Sequence, residues 1–82
     1  MTTFRRDFDF IENLNIVISK NVRKYRKLDG ITQEQLAIDI GVSVDYLRRF
    51  ETQEGKEGMS IKTLYRISVV LNTPINKFLE NN

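Results

Sequence analysis

The sequence contains no cysteine and no histidine. Without thiols there is neither a disulfide framework nor a thiolate metal site. Without imidazole, the commonest general base and the commonest zinc ligand are missing together. An enzyme built on this chain would have to work with carboxylates, lysines and hydroxyls. No cluster of these stands out, and no glycine-rich phosphate loop is present. No apolar run approaches the roughly 20 residues of a membrane-spanning helix. Arg5 and Arg6 resemble a twin-arginine export signal, but Asp9, Glu12, Asn13 and Asn15 interrupt what should be its apolar stretch. The expectation is a cytoplasmic, non-enzymatic protein with no cofactor, metal site or membrane segment.

What is present suits one small globular domain: 82 residues, 40% hydrophobic and 29% charged. The net charge is only +2, from 13 basic and 11 acidic residues. Its distribution is uneven, because Lys20, Arg23, Lys24, Arg26 and Lys27 crowd together and Arg48 and Arg49 are adjacent. A local basic surface on a near-neutral body is compatible with phosphate contact. The first cluster also favours the negative end of a helix dipole, which is a purely structural use for it.

Hydrophobic periodicity predicts helices throughout and no strand. Ile11, Leu14, Ile18, Val22, Tyr25 and Leu28 recur every three or four residues, widened by Phe10 and Val17. They predict one long helix from about Phe10, with a break near Asn13 or Asn15 as the alternative, ending at Asp29-Gly30. In Thr32–Glu51, Thr32 is placed to cap a helix and Gln35 to close a capping box. Leu36, Ala37 and Ile40 share a face, Gly41 ends the helix, and Ser43 caps the next, whose buried side is Leu47 and Phe50. This is the layout of a helix-turn-helix, whose second helix lies in the DNA major groove. Gln53–Gly58 reads as a loop. Ser60 caps a fourth helix with Ile61, Leu64, Ile67, Ser68 and Leu71 inward. Thr73 and Pro74 start a last short helix carrying Ile75, Phe78 and Leu79.

The chain resembles the lambda-repressor-like family of DNA-binding domains, the Cro/C1 or XRE type. The resemblance rests on Val22, Tyr25, Arg26, Gly30, Ile31, Thr32-Gln33, Leu36-Ala37, Gly41-Val42-Ser43, Leu47, Glu51, Ile61, Leu64, Leu71 and Phe78-Leu79. It implies an all-α, compact five-helix domain over residues 18–80, with residues 1–17 extending the first helix. It further implies that Arg26 pairs with Glu51, and a guanidinium fork does match a carboxylate bidentately. By the same resemblance the base-reading residues are Ser43, Val44, Asp45, Arg48, Arg49 and Thr52. Arginine to guanine is the commonest specific contact, so Arg49 leads this set. Val44 suits a thymine methyl, while Asp45 either accepts from cytosine or complements the helix dipole. Gln33, Tyr46 and Gln53 are the phosphate-contacting candidates. The loop departs from the family pattern in being longer and in carrying Glu54 and Glu57.

The function expected is a sequence-specific, double-stranded-DNA-binding transcriptional regulator. It would act as a homodimer on a palindromic operator, because one short helix offers few base contacts. Ile75, Phe78 and Leu79 are the dimer candidates. Leu14 and Val17 are expected to add to the core, while Phe4 and Phe8 could serve either core or dimer surface. This stand-alone form resembles Cro-like phage regulators and the controller proteins of restriction–modification systems. The alternative is an antitoxin-type module that neutralises a small protein partner and also binds its own operator.

Overall fold

The computed structural model describes the backbone of residues 3–52 and 56–80 and the side chains of residues 14–52 and 56–80. Among the described residues, four α-helices follow one another: α1 (Thr3–Leu28), α2 (Gln33–Ile40), α3 (Val44–Thr52) and α4 (Ile61–Val70). A short 3-10 helix (Ile75–Leu79) takes the place of the expected fifth α-helix. No strand occurs among the described residues. The all-α architecture expected from the periodicity is therefore the one observed.

α1 is continuous through Asn13 and Asn15 and begins well before Phe10. It also crosses residues 17 and 18 without interruption. Leu14 packs against the core, whereas Val17 is only half-buried. The side chains of Phe4, Phe8, Phe10 and Ile11 lie outside the described ones. Leu28, expected on the inner stripe, is 74% exposed. Six residues beyond Val22, it sits about 120° round the helix from that buried side chain. Arg26 occupies the inward position instead.

Local chemistry sets the helix ends. The Thr32 hydroxyl accepts from the Gln35 N–H at 3.0 Å and starts α2. The reciprocal half of the capping box is absent, because the Gln35 amide donates along the helix to Asp39 at 2.9 Å. Gly41 adopts φ 77°, and its N–H donates to the carbonyls of Ala37 and Ile38. An L side chain is strained in that left-handed region, so glycine turns the chain here at least cost. Ser43 and Ser60 cap α3 and α4 by accepting from the N–H groups of Tyr46 and Thr63. Thr73 does not cap the last helix. Its hydroxyl donates back to the Leu71 carbonyl, and Pro74 holds the cap position without a side-chain bond.

The core joins Ile18 and Val22 of α1 to Leu36, Ala37 and Ile40 of α2, Leu47 and Phe50 of α3, and Leu64, Ile67 and Leu71 of α4, with Phe78 closing one end. Ile61, expected on the inner face of α4, is 76% exposed. It stands in the helix's first turn, and Met59 just before it packs on the core instead. Two buried uncharged polar residues tie α1 to the rest. Ser19 donates to the Phe50 carbonyl at 2.8 Å. Asn21 donates to the carbonyls of Phe78 and Glu80, both at 2.8 Å. Buried donors satisfied in this way define how neighbouring elements sit, since an unmet donor would be costly.

Candidate nucleic-acid interface

α2 and α3 pack through Leu36, Ala37, Ile40, Leu47 and Phe50, leaving the opposite side of α3 in solvent. A bidentate ion pair fixes the far end of α3. Arg26 donates from Nε to Glu51 Oε2 at 2.8 Å and from Nη2 to Oε1 at 2.9 Å, and its Nη1 donates to the Ile31 carbonyl at 2.8 Å. Both side chains are almost fully buried. The pair therefore links α1, the α1–α2 turn and the end of α3. Arg26 belongs to the body, while its neighbours Lys20, Arg23, Lys24 and Lys27 are exposed.

The exposed face of α3 begins at Ser43 and includes Asp45, Arg48, Arg49 and Thr52. The side chains of Arg48 and Arg49 are 53% and 48% exposed, so neither is turned into the core. Each carries a carboxylate partner. Asp45 accepts from Arg48 Nη1 at 2.7 Å, one turn away on the same helix. Glu57, from the loop before α4, accepts from Arg49 Nε and, at 3.5 Å, from Nη2. Val44 is half-buried and shares its surface with the core. The Thr52 hydroxyl donates to the Arg48 carbonyl at 2.7 Å, so its proton is already used within the helix.

The phosphate candidates fare unequally. Gln33 donates one amide hydrogen to Glu51 Oε1 at 3.0 Å, which leaves the second free at the start of α2. Tyr46 is not a free donor. Its hydroxyl donates to the Gly58 carbonyl at 2.8 Å, and its ring stacks on Phe50. Partial burial, and then the nearby Glu57 charge, raise its pKa above the ordinary phenol value. Gln53 lies outside the described residues. Phe78 cannot be a dimer contact: it is 0% exposed and meets Tyr25 edge-on, with ring centroids 5.4 Å apart. Ile75 is half-buried against the core, and Leu79 is exposed.

Sequence reasoning missed the Glu57–Arg49 contact. The only signal was the acidic character of the loop. The hydrogen bond from Arg49, reinforced by its charge, holds the Glu57 carboxyl below the usual carboxylate range, and the same contact raises Arg49. A depressed carboxylate pKa means the contact is present at neutral pH and is lost as pH falls through the folded-state value. In Arg49→Ala, the Glu57 carboxyl is expected to titrate higher, back in the ordinary range. Carboxyl-resolved NMR titration of both proteins checks this, and identical midpoints would mean that the contact does not persist in solution.

Among the described residues, no group of acidic side chains could hold a metal ion, and no helix is long and apolar enough to cross a membrane. What the arrangement offers is a short, capped helix standing proud of the body with two arginines on its outer face. Comparison with known proteins agrees with that geometry. The sequence profile described as Helix-turn-helix matches residues 22–78. The chain belongs to this helix-turn-helix family, in its Cro/C1 (XRE) type, and is a DNA-binding transcriptional regulator.

One relative is "Control protein C.SmaI" of Serratia marcescens, 33% identical over 63 residues that span 77% of this chain and 73% of the relative. HTH-type transcriptional regulators of Sinorhizobium medicae and Rhizobium meliloti are each 28% identical over 68 residues. This match takes in 83% of the chain but only 48% of either regulator.

Proposed function

We propose that this protein recognises a specific double-stranded operator as a homodimer, with the helix that opens at Ser43 as its reading element. The observation that carries the proposal is the exposed pair Arg48 and Arg49 on α3, held outward while Leu47 and Phe50 anchor the opposite side. Arg49 reads a guanine through O6 and N7, and Arg48 serves an adjacent base or phosphate. Gln33, through its second amide hydrogen and the exposed N–H groups that begin α2, takes a backbone phosphate. Similarity to a control protein and to transcriptional regulators supports a regulatory role.

Few base contacts fit one helix of nine residues. A two-fold dimer doubles them on half-sites about 34 Å apart. Leu79, 43% exposed, lies on a surface available for self-association, and Tyr65 and Val69 of α4 are exposed as well.

Selection of bound duplexes from a random pool tests the proposal. A palindromic motif with half-sites one helical turn apart is expected. Arg49→Ala should relax one base position per half-site by about 5- to 150-fold, the equivalent of roughly 1–3 kcal/mol. Gln33→Ala should weaken all sequences alike. Recovery of no motif from the wild-type protein would refute sequence-specific recognition.

A further inference from the structure

We propose that Glu57, which lies outside the helix-turn-helix, is a specificity-determining residue that aims Arg49 at a base and keeps it off phosphates. The inference rests on the reading of Arg49 as a base-contacting residue.

Arg49 has five N–H donors in a planar fork. Glu57 takes Nε–H and leans on one hydrogen of Nη2. Both hydrogens of Nη1 and the second of Nη2 are left over. That second hydrogen of Nη2 and one hydrogen of Nη1 form the end-on edge of the guanidinium, which matches guanine O6 and N7. A long, flexible side chain is thereby held in the orientation that base recognition needs.

The position of Glu57 is itself built. Gly58, the next residue, has φ 74°, and its carbonyl accepts from Tyr46 Oη at 2.8 Å. Tyr46 is stacked on Phe50, a fully buried core residue. Tyr46 and Arg49 are three residues apart and so neighbours on one face of α3. The helix thus holds the loop with its tyrosine, and the loop holds the helix's arginine with its glutamate.

The charge of Glu57 matters as much as its reach. A phosphate competing for Arg49 must approach a fixed carboxylate, and like charges repel. Non-specific binding is almost wholly phosphate contact, so it is penalised, whereas an uncharged base edge is not. Freed of Glu57, Arg49 can turn to the nearest phosphate and carry less sequence information.

The test uses the full chain and two duplexes. One is the wild-type selected site, and the other carries a substitution at the base pair that Arg49→Ala relaxes. In Glu57→Gln, the ratio of the two dissociation constants is expected to fall roughly fivefold, the loss of about one hydrogen bond's net contribution. Binding to the substituted duplex should tighten. In an Arg49→Ala background, Glu57→Gln should leave the ratio unchanged.

An unchanged ratio in Glu57→Gln alone would overturn the proposal. So would equal tightening on both duplexes, which would make Glu57 a latch that competes with DNA of any sequence. If Arg49→Ala relaxes no position, the reading of Arg49 fails first, in a comparison that leaves Glu57 untouched, and the proposal falls with it.

Discussion

Glu51→Ala is expected to lower the free energy of unfolding by about 3–5 kcal/mol, a large share of the roughly 5–15 kcal/mol that holds a small domain together. The effect comes from what is left behind. Arg26 would keep its buried guanidinium with only the Ile31 carbonyl to answer it, and Gln33 would lose its acceptor. The net value of the intact pair is a different and smaller quantity, because desolvation of both groups offsets much of their attraction. Replacing both partners at once, Arg26→Met with Glu51→Leu, should therefore recover much of the loss. Urea denaturation of the three proteins separates the two quantities. A loss below about 1 kcal/mol in Glu51→Ala would mean that the pair behaves as a solvated surface contact.

Phe78→Ala should cost about 3–5 kcal/mol as well, by a different route. The ring is fully buried against Tyr25, where the 3-10 helix packs on α1 and α4. Its removal leaves a cavity and exposes the 3-10 helix that Asn21 holds through the Phe78 carbonyl. Denaturation measured at several protein concentrations distinguishes this from an interfacial role. A core residue gives the same loss at every concentration. A loss that appears only where dimers form would return Phe78 to the interface.

That contrast shows what was legible in the sequence. Helix caps are local events, so Thr32, Gly41, Ser43 and Ser60 could be read from residue type and spacing. The structure has each of them ending or starting a helix. Periodicity also placed Leu36, Leu47, Phe50 and Ile67 in the core, because a helix repeats every 3.6 residues wherever it sits. It failed at helix ends. Leu28 and Ile61 continue an apolar pattern past the point where another element is present to cover them. Phe78 was misassigned because a terminal helix of two turns at most shows no inner face in sequence. Only the packing of α1 against it decides which side is buried.

Within the candidate site, the Arg26–Glu51 pairing followed from the family resemblance and the matching shapes of the two groups. The Glu57–Arg49 contact could not be read in advance. It depends on the left-handed turn at Gly58 and on the hydroxyl of Tyr46, two features that place a loop rather than a helix. The same hydroxyl removes Tyr46 from the set of free phosphate donors. Long-range hydrogen bonds of this kind leave no periodic trace, because their partners are chosen by the folded chain.

The central claim is that DNA meets the protein at the start of α2 and the outer face of α3. Amide chemical-shift mapping on addition of the selected duplex tests it most directly. The expected perturbations centre on Gln33 and on Ser43 through Arg49, with α4 and the 3-10 helix changed only where two copies meet. Perturbations confined to α4 and the C-terminal end, with Ser43 to Arg49 unmoved, would contradict the account.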